Sequence, residues 1–201
     1  MDKATVIEHA LDLLGEHDFA ENSSTHSIAM RHYNTTLREC CAAHHWSFAR
    51  RTSTLAESAP GSNTFHLPVD CLRIKHLSES ITDTPFPRRV NHWQLNGRTI
   101  TACGYNSLTL TYTADFTASG EELPDAAPLF QQYAIHLLAS RLAPTICGTE
   151  RGVQLAQYLI GVANQYRHDA MVADAQQDNS NDQNYLPRIL MDTENLNNYI
   201  R

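Results

Sequence analysis

The apolar residues of this 201-residue chain change their spacing twice, and that change constrains the fold more than any single motif. Near the start, Ala4, Ile7, Ala10, Leu11 and Leu14 follow the i, i+3, i+4, i+7 rule of a helix that buries one face. Gly15 stands where a left-handed cap belongs. Ser23, Ser24 or Thr25 can cap a second helix, expected from about Ser27 to His45 with Ile28, Leu37 and Cys41 inward. The period then shortens to two. Residues Phe48 to Leu55 read as a strand, and Leu72 to Leu77 and Leu108 to Thr113 alternate apolar with polar. Between them, Asn96-Gly97 flanked by short alternating runs predicts a two-residue type I′ hairpin with positive φ at both central positions. After Pro124 the helical period returns. Leu129, Phe130, Tyr133, Leu137, Leu138 and Leu142 make a wide apolar face that Pro144 is expected to end, with Asp125 as a cap. The last helix is expected over Glu150 to Gln177, roughly 40 Å long, with Leu155, Leu159, Val162, Tyr166 and Ala170 as its stripe.

This order predicts an α+β chain. Residues 1–47 and 124–178 form an antiparallel bundle of about four helices, 48–116 an inserted small antiparallel β-sheet module, and 179–201 an extended C-terminal tail. The tail is rich in Asn and Gln around one apolar island, Tyr185 to Met191, and is too polar to fold alone.

Composition sets outer bounds. Charged residues are 18% and apolar ones 42%, which is a globular balance. A net charge of −7 excludes a surface built throughout to hold nucleic acid or anionic lipid. No run is long and apolar enough to cross a bilayer, and the amphipathic start does not read as a signal peptide, so the expectation is a soluble, cytoplasmic chain with no membrane partner. Five cysteines (Cys40, Cys41, Cys71, Cys103, Cys147) fit no disulfide framework and read as free, mostly buried thiols.

Cys40-Cys41-Ala42-Ala43-His44-His45 has the residue types of a zinc site. On a helix Cys40 would neighbour His44, and Cys41 would neighbour His45. Adjacent helix positions diverge by about 100°, so the two pairs do not share one ion, and no CxxC or HxxxH completes a set. The reading is therefore no metal and no cofactor. No Gly-x-Ser-x-Gly elbow and no phosphate-binding loop occurs. Glu121, Glu122 and Asp125 precede a helix, where carboxylates interact favourably with the helix N-terminus. Trp46 and Phe48, before Arg50-Arg51, read as core closure rather than as a stacking platform for bases. No catalytic residue is assigned.

Charge is segregated along the chain. Residues 31–98 hold nine Arg or Lys against five acids, and the remainder six against seventeen. Arg50, Arg51, Arg88 and Arg89 are the candidates for charge contacts between subunits. Solvated arginines on sheet edges, where they deter aggregation, explain the same pattern.

Several short elements recur in a familiar order. These are His45-Trp46-Ser47-Phe48-Ala49, then Phe65-His66-Leu67-Pro68-Val69-Asp70-Cys71-Leu72-Arg73, the Asn-Gly hairpin, Leu108-Thr109-Leu110-Thr111-Tyr112, and Leu123-Pro124-Asp125 opening a Leu/Ala-rich helix. Over residues 5–180 this series resembles the tail tubular protein A family, the head–tail adaptors of short-tailed bacteriophages. The resemblance implies a non-enzymatic virion protein of the tail or neck, made in the host cytoplasm. It implies a ring of twelve copies beneath the portal protein, continuing the DNA channel without sequence-specific binding and joining the tail nozzle protein. In some members tail fibres attach as well. It further implies that the tail, through Tyr185, Leu186, Pro187, Ile189 and Leu190, docks on the portal. Two rival readings are an adaptor that also hydrolyses peptidoglycan, with Glu121 or Glu122 as the acid, and a zinc-binding regulatory or DNA-binding module using Cys40, Cys41, His44 and His45.

Overall fold

The computed structural model describes residues 1–17, 23–80, 88–115, 117 and 122–177. Among them the architecture is mixed α+β, with four helices and two small antiparallel three-stranded sheets. The helices are α1 (Lys3–Asp12), α2 (Ser24–Ala42), α3 (Pro128–Ile146) and α4 (Thr149–Gln177). The strands are β1 (Arg50–Ala56), β2 (Thr64–His66), β3 (Cys71–Glu79), β4 (Gln94–Asn96), β5 (Thr99–Thr101) and β6 (Ser107–Ala114).

The helix ends follow local chemistry. Asp2 caps α1 by accepting from the Thr5 N–H at 2.8 Å. Gly15, at φ +75°, closes the helix: its N–H donates to Asp12 O and the Glu16 N–H to Leu11 O, the pattern of a Schellman cap. Ser23 caps α2 through the His26 N–H. Helix α2 stops at Ala42, three residues before the expected end. Trp46 turns back into the core there, and its indole N–H donates at 2.9 Å to the Cys40 carbonyl, which also accepts from the Ala43 N–H, so a side chain reinforces the helix end. Asp125 does not cap α3. It lies beside the N-terminal ammonium at 2.9 Å, and Ala127 occupies the cap position with no side-chain bond. Pro144 does not end α3, which continues to Ile146. Where α4 crosses, Gly152 lets it lie almost on the α3 backbone, because a Cβ there would sit 2.8 Å from Pro144 Cα and closer still to the Ala143 carbonyl oxygen.

All four helices contribute to one core. Ile7 and Leu11 of α1, Leu37, Cys40 and Cys41 of α2, Phe130, Leu138 and Leu142 of α3, and Leu159 and Ala163 of α4 are buried together with Trp46. Trp46 lies edge-on to Phe130 at 4.9 Å between centroids and stacks on Phe48 at 5.8 Å. These aromatics therefore close a core, as their position at the junction suggests.

The strands form two sheets rather than one, in the orders β1-β6-β3 and β2-β5-β4. A second core joins them through Leu55, Phe65, Leu77, Val90, Ile100, Leu108, Leu110 and Tyr112. The hairpin forms, one residue later than the spacing predicts. Asn96 pairs with Thr99, so Gly97 and Arg98 are the central residues, and of these only Gly97 has positive φ. That is the backbone demand of a type II′ turn, with Gly first. The Leu-Pro-x-Asp element is a structural clasp. The Cys71 N–H donates to the Pro68 carbonyl, and the Asp70 carboxylate accepts from Arg51 at 2.8 Å and from the Tyr112 hydroxyl at 3.1 Å. Burial, followed by the Asp70 carboxylate, pushes the Tyr112 phenol up to about 12.

Candidate assembly surfaces

The Cys-Cys-Ala-Ala-His-His cluster comes apart in three dimensions. Because α2 ends at Ala42, His44 and His45 lie beyond the helix. Cys40 and Cys41 are fully buried, and burial pushes the Cys40 thiol far above its ordinary value, holding it protonated. His44 Nε2 lies 3.5 Å from the Asp174 carboxylate, and His45 Nδ1 lies 3.1 Å from Thr113 Oγ1. Among the described residues no group of three His, Cys, Asp or Glu is placed to hold a metal ion. None of the five cysteines forms a disulfide, and Cys40, Cys41 and Cys71 are buried.

Asp174, near the end of α4, is almost fully buried and clamps the chain where it leaves α2. Its carboxylate accepts from the Ser47 N–H at 2.9 Å and from the Ser47 hydroxyl at 2.5 Å. A cavity of about 260 Å³ opens beside it, lined by Trp46, Phe48, Pro128, Phe130 and Ala170. The residue types are those of a hydrolase, but the order is not. The serine donates directly to the carboxylate, whereas nucleophile activation requires an imidazole between them. The arrangement ties α4 to the α2–β1 junction. Glu121 lies outside the described residues, and Glu122 is exposed.

The structure does not gather the four candidate arginines. Arg50 and Arg51 are consecutive on β1 and so face opposite sides of the sheet. Arg51 is engaged by Asp70. Arg88 and Arg89 lie along the far edge of β3, where Arg89 bridges Ser78 and the Glu79 N–H donates to the Arg88 carbonyl. Three strand spacings and several residues separate the two pairs, on the order of 20 Å. Tyr185, Leu186, Pro187, Ile189 and Leu190 lie outside the described residues.

Two surfaces stand out that the sequence reading did not single out. The first is the outer half of α4. Among helices and strands α4 packs closely only on α3, through small residues (Gly152, Ala156, Ala163, Ala170) and Leu159. No charged residue or histidine occurs from Gly152 to Tyr166, a length where 18% composition leads one to expect roughly three charges. At 100° per residue, Gln154, Gln157, Gly161, Asn164 and Gln165 lie along the centre of the open half. Val153 and Ile160 flank them on one side, 47% and 44% exposed, and Tyr158 on the other, 68% exposed. Depletion of charge around exposed aromatic and aliphatic side chains marks the centre of protein interfaces.

The second is one face of the β1-β6-β3 sheet. Cross-strand partners share a face, which brings Arg50, Thr113 and Arg73 into one row, Thr52, Thr111 and His76 into the next, and Thr54, Thr109 and Ser78 into a third. The opposite face carries Leu108, Leu110 and Tyr112 into the second core. His45 covers the Thr113 end. Its pKa is pushed down to about 4, first by burial and then by the nearby cations Arg73, Lys75 and Arg50 and the His44 ring. The ring is therefore neutral at pH 7. Of the residues on this face Thr111, Thr113 and Ser78 are buried, and Arg73 is exposed.

No protein-family model matches the sequence, and a comparison with curated proteins finds no match. No helix among the described residues is long and apolar enough to cross a membrane.

Proposed function

We propose that this chain is a structural, non-enzymatic adaptor of a short-tailed phage. Its helices pack as a bundle that forms the subunit body, and copies close a ring of about twelve beneath the portal. The ring continues the DNA channel, without reading sequence, to the tail nozzle. The inserted sheet module makes contacts outside the bundle, and the tail from residue 179 docks on the portal through Tyr185, Leu186, Pro187, Ile189 and Leu190. The observation that carries this reading is the outer half of α4: a helix of 29 residues, held on one side by small residues and open on the other through an uncharged strip bearing Tyr158. Such a strip suits a subunit that is finished by its neighbours. The order of elements that resembles the tail tubular adaptors supports the same reading.

The test is native mass spectrometry of the full chain with the portal protein from the same genome. The expected species is the portal ring carrying a matching number of adaptor copies. A Tyr158→Ser variant should keep the wild-type melting temperature and lose most of that loading. A chain that remains monomeric with and without portal would refute the proposal.

A further inference from the structure

The cavity of about 260 Å³ beside Asp174 has no part in the clamp that ties α4 to the α2–β1 junction. Trp46 and Phe48 of the junction and Leu129 and Phe130 of α3 wall one side, and Ala170 and Ala173 of α4 wall the other. Among the described lining residues only Ser47 and Asp174 are polar, and they are bonded to each other. The cavity therefore selects by apolar contact. Trp46 and Phe130 are buried, Phe48, Leu129 and Ala173 are half-buried and Pro128 at the edge is exposed, so the cavity opens at the surface. Its volume lies below the roughly 300–1,000 Å³ of sites for cofactor-sized molecules and suits one or two apolar side chains of a peptide.

The described chain ends beside this cavity. Ala173 lies four residues before Gln177, about 6 Å along the helix axis. Residues 178–184 hold no apolar residue, and residues 185–191 then hold Tyr185, Leu186, Pro187, Ile189, Leu190 and Met191 around Arg188. Eight residue steps from Gln177 to Tyr185 reach at most about 28 Å, several times the distance back to Ala173.

We propose that the apolar island of this chain's own tail, Tyr185 to Met191, docks in this cavity against Trp46, Phe48, Phe130 and Ala173 before the subunit assembles. The occupant follows from chain length and position. A short polar connection that starts one turn from the cavity makes docking intramolecular, with an effective concentration in the millimolar range. The same island on another copy competes at the protein concentration, which is far lower. An island flanked by polar residues has no core of its own, and an apolar cavity within reach takes its side chains out of water. The inference stands apart from the adaptor reading. Where both hold, the portal draws the island from a seat in its own subunit, so the docking residues exchange one apolar site for another.

The experiment is limited trypsin digestion of the full chain, followed by intact mass. Arg188 is the one Lys or Arg between Arg167 and Arg201, so cleavage there removes residues 189–201 as a single readable step. Each rate is referred to a synthetic peptide 179–201 carrying the same tail sequence. Trypsin cuts only the undocked island, so docking of about nine tenths of the molecules slows the cut about tenfold, and wild type should be at least that much slower than its peptide. Ala173→Leu fills the cavity and should bring the rate to within about twofold of the peptide while melting no lower than wild type. Leu186→Ser/Leu190→Ser should do the same from the tail side, leaving the body of the fold untouched. The wild-type slowing should be the same from about 1 to about 100 µM protein, as an intramolecular contact requires. Slowing that grows with concentration assigns the cavity to the tail of a second copy and overturns the inference. So does a wild type cut at the rate of its peptide, or slowing retained by Leu186→Ser/Leu190→Ser or by an Ala173→Leu that melts like wild type. Portal binding by a chain whose tail is unprotected overturns the inference alone, and a protected tail without portal binding supports the inference and overturns the adaptor reading.

Discussion

Gly152 and Gly161 lie nine residues apart on α4, and the same substitution at each should move stability in opposite directions. In a helix interior, alanine is more favourable than glycine by about 1 kcal/mol, from backbone entropy alone. At Gly161 nothing lies within 4 Å of a new Cβ, so Gly161→Ala should stabilise by about 0.5–1 kcal/mol. At Gly152 the new methyl would lie 2.8 Å from Pro144 Cα and closer to the Ala143 carbonyl oxygen. Both are backbone atoms of α3 and cannot rotate away, so α4 must move off its partner. Overpacking costs about 1–3 kcal/mol, and against backbone atoms that cannot yield the cost falls at the upper end, which leaves Gly152→Ala destabilised by about 1–2 kcal/mol after the propensity gain. Urea denaturation followed by far-UV circular dichroism measures both variants. A neutral or stabilising Gly152→Ala would refute the close approach of α3 and α4, on which the open outer face of α4 depends.

Asp174→Ala should destabilise by about 1–3 kcal/mol, because the Ser47 amide and hydroxyl lose their acceptor at a buried site, and Asp174→Asn should recover part of the loss; thermal melts check this. His45 has its folded pKa depressed from 6.5 to about 4, so its neutral form stabilises the fold fully above pH 6.5, and that stability is lost as pH falls toward 4. Solvent reaches the ring, which limits the effect to on the order of 1–2 kcal/mol. His45→Gln should flatten this part of a stability-versus-pH curve, and an unchanged slope would refute the assignment. Tyr112, raised to about 12, gives the opposite sign: its contribution is present below pH 10 and lost as pH climbs through 12, so Tyr112→Phe should resist alkaline unfolding better than wild type.

The elements that carry periodicity in consecutive residues were legible in the sequence, and those set by tertiary contact were not. Helix α1, with its Gly15 cap, and strands β3 and β6 stand close to where spacing places them. The turn glycine is legible, but the choice between Asn96-Gly97 and Gly97-Arg98 depends on cross-strand pairing of Ile100 with Phe65, which no local signal reports. Pro144 reads as a stop because it removes one amide and crowds one carbonyl, yet packing of Leu142, Ala143 and Ile146 keeps α3 going for two more residues. The end of α2 was set by Trp46 folding back, a contact invisible to a period count. Among the surfaces, the lack of charge from Gly152 to Tyr166 was readable directly, and only the helical wheel and the position of α3 show that half of it faces outward. The row of Arg50, Thr113 and Arg73 was not readable, because β6 inserts between β1 and β3 and joins residues far apart in the chain.

The proposed adaptor has an open α4 face that its neighbours bury. Electron cryomicroscopy of the protein mixed with the portal protein from the same genome measures that burial directly. The expected result is a closed ring of adaptor subunits in which Val153, Tyr158 and Ile160 are covered by an adjacent copy or by portal. Particles that show bare portal rings, or a ring in which this strip of α4 still faces solvent, would contradict it.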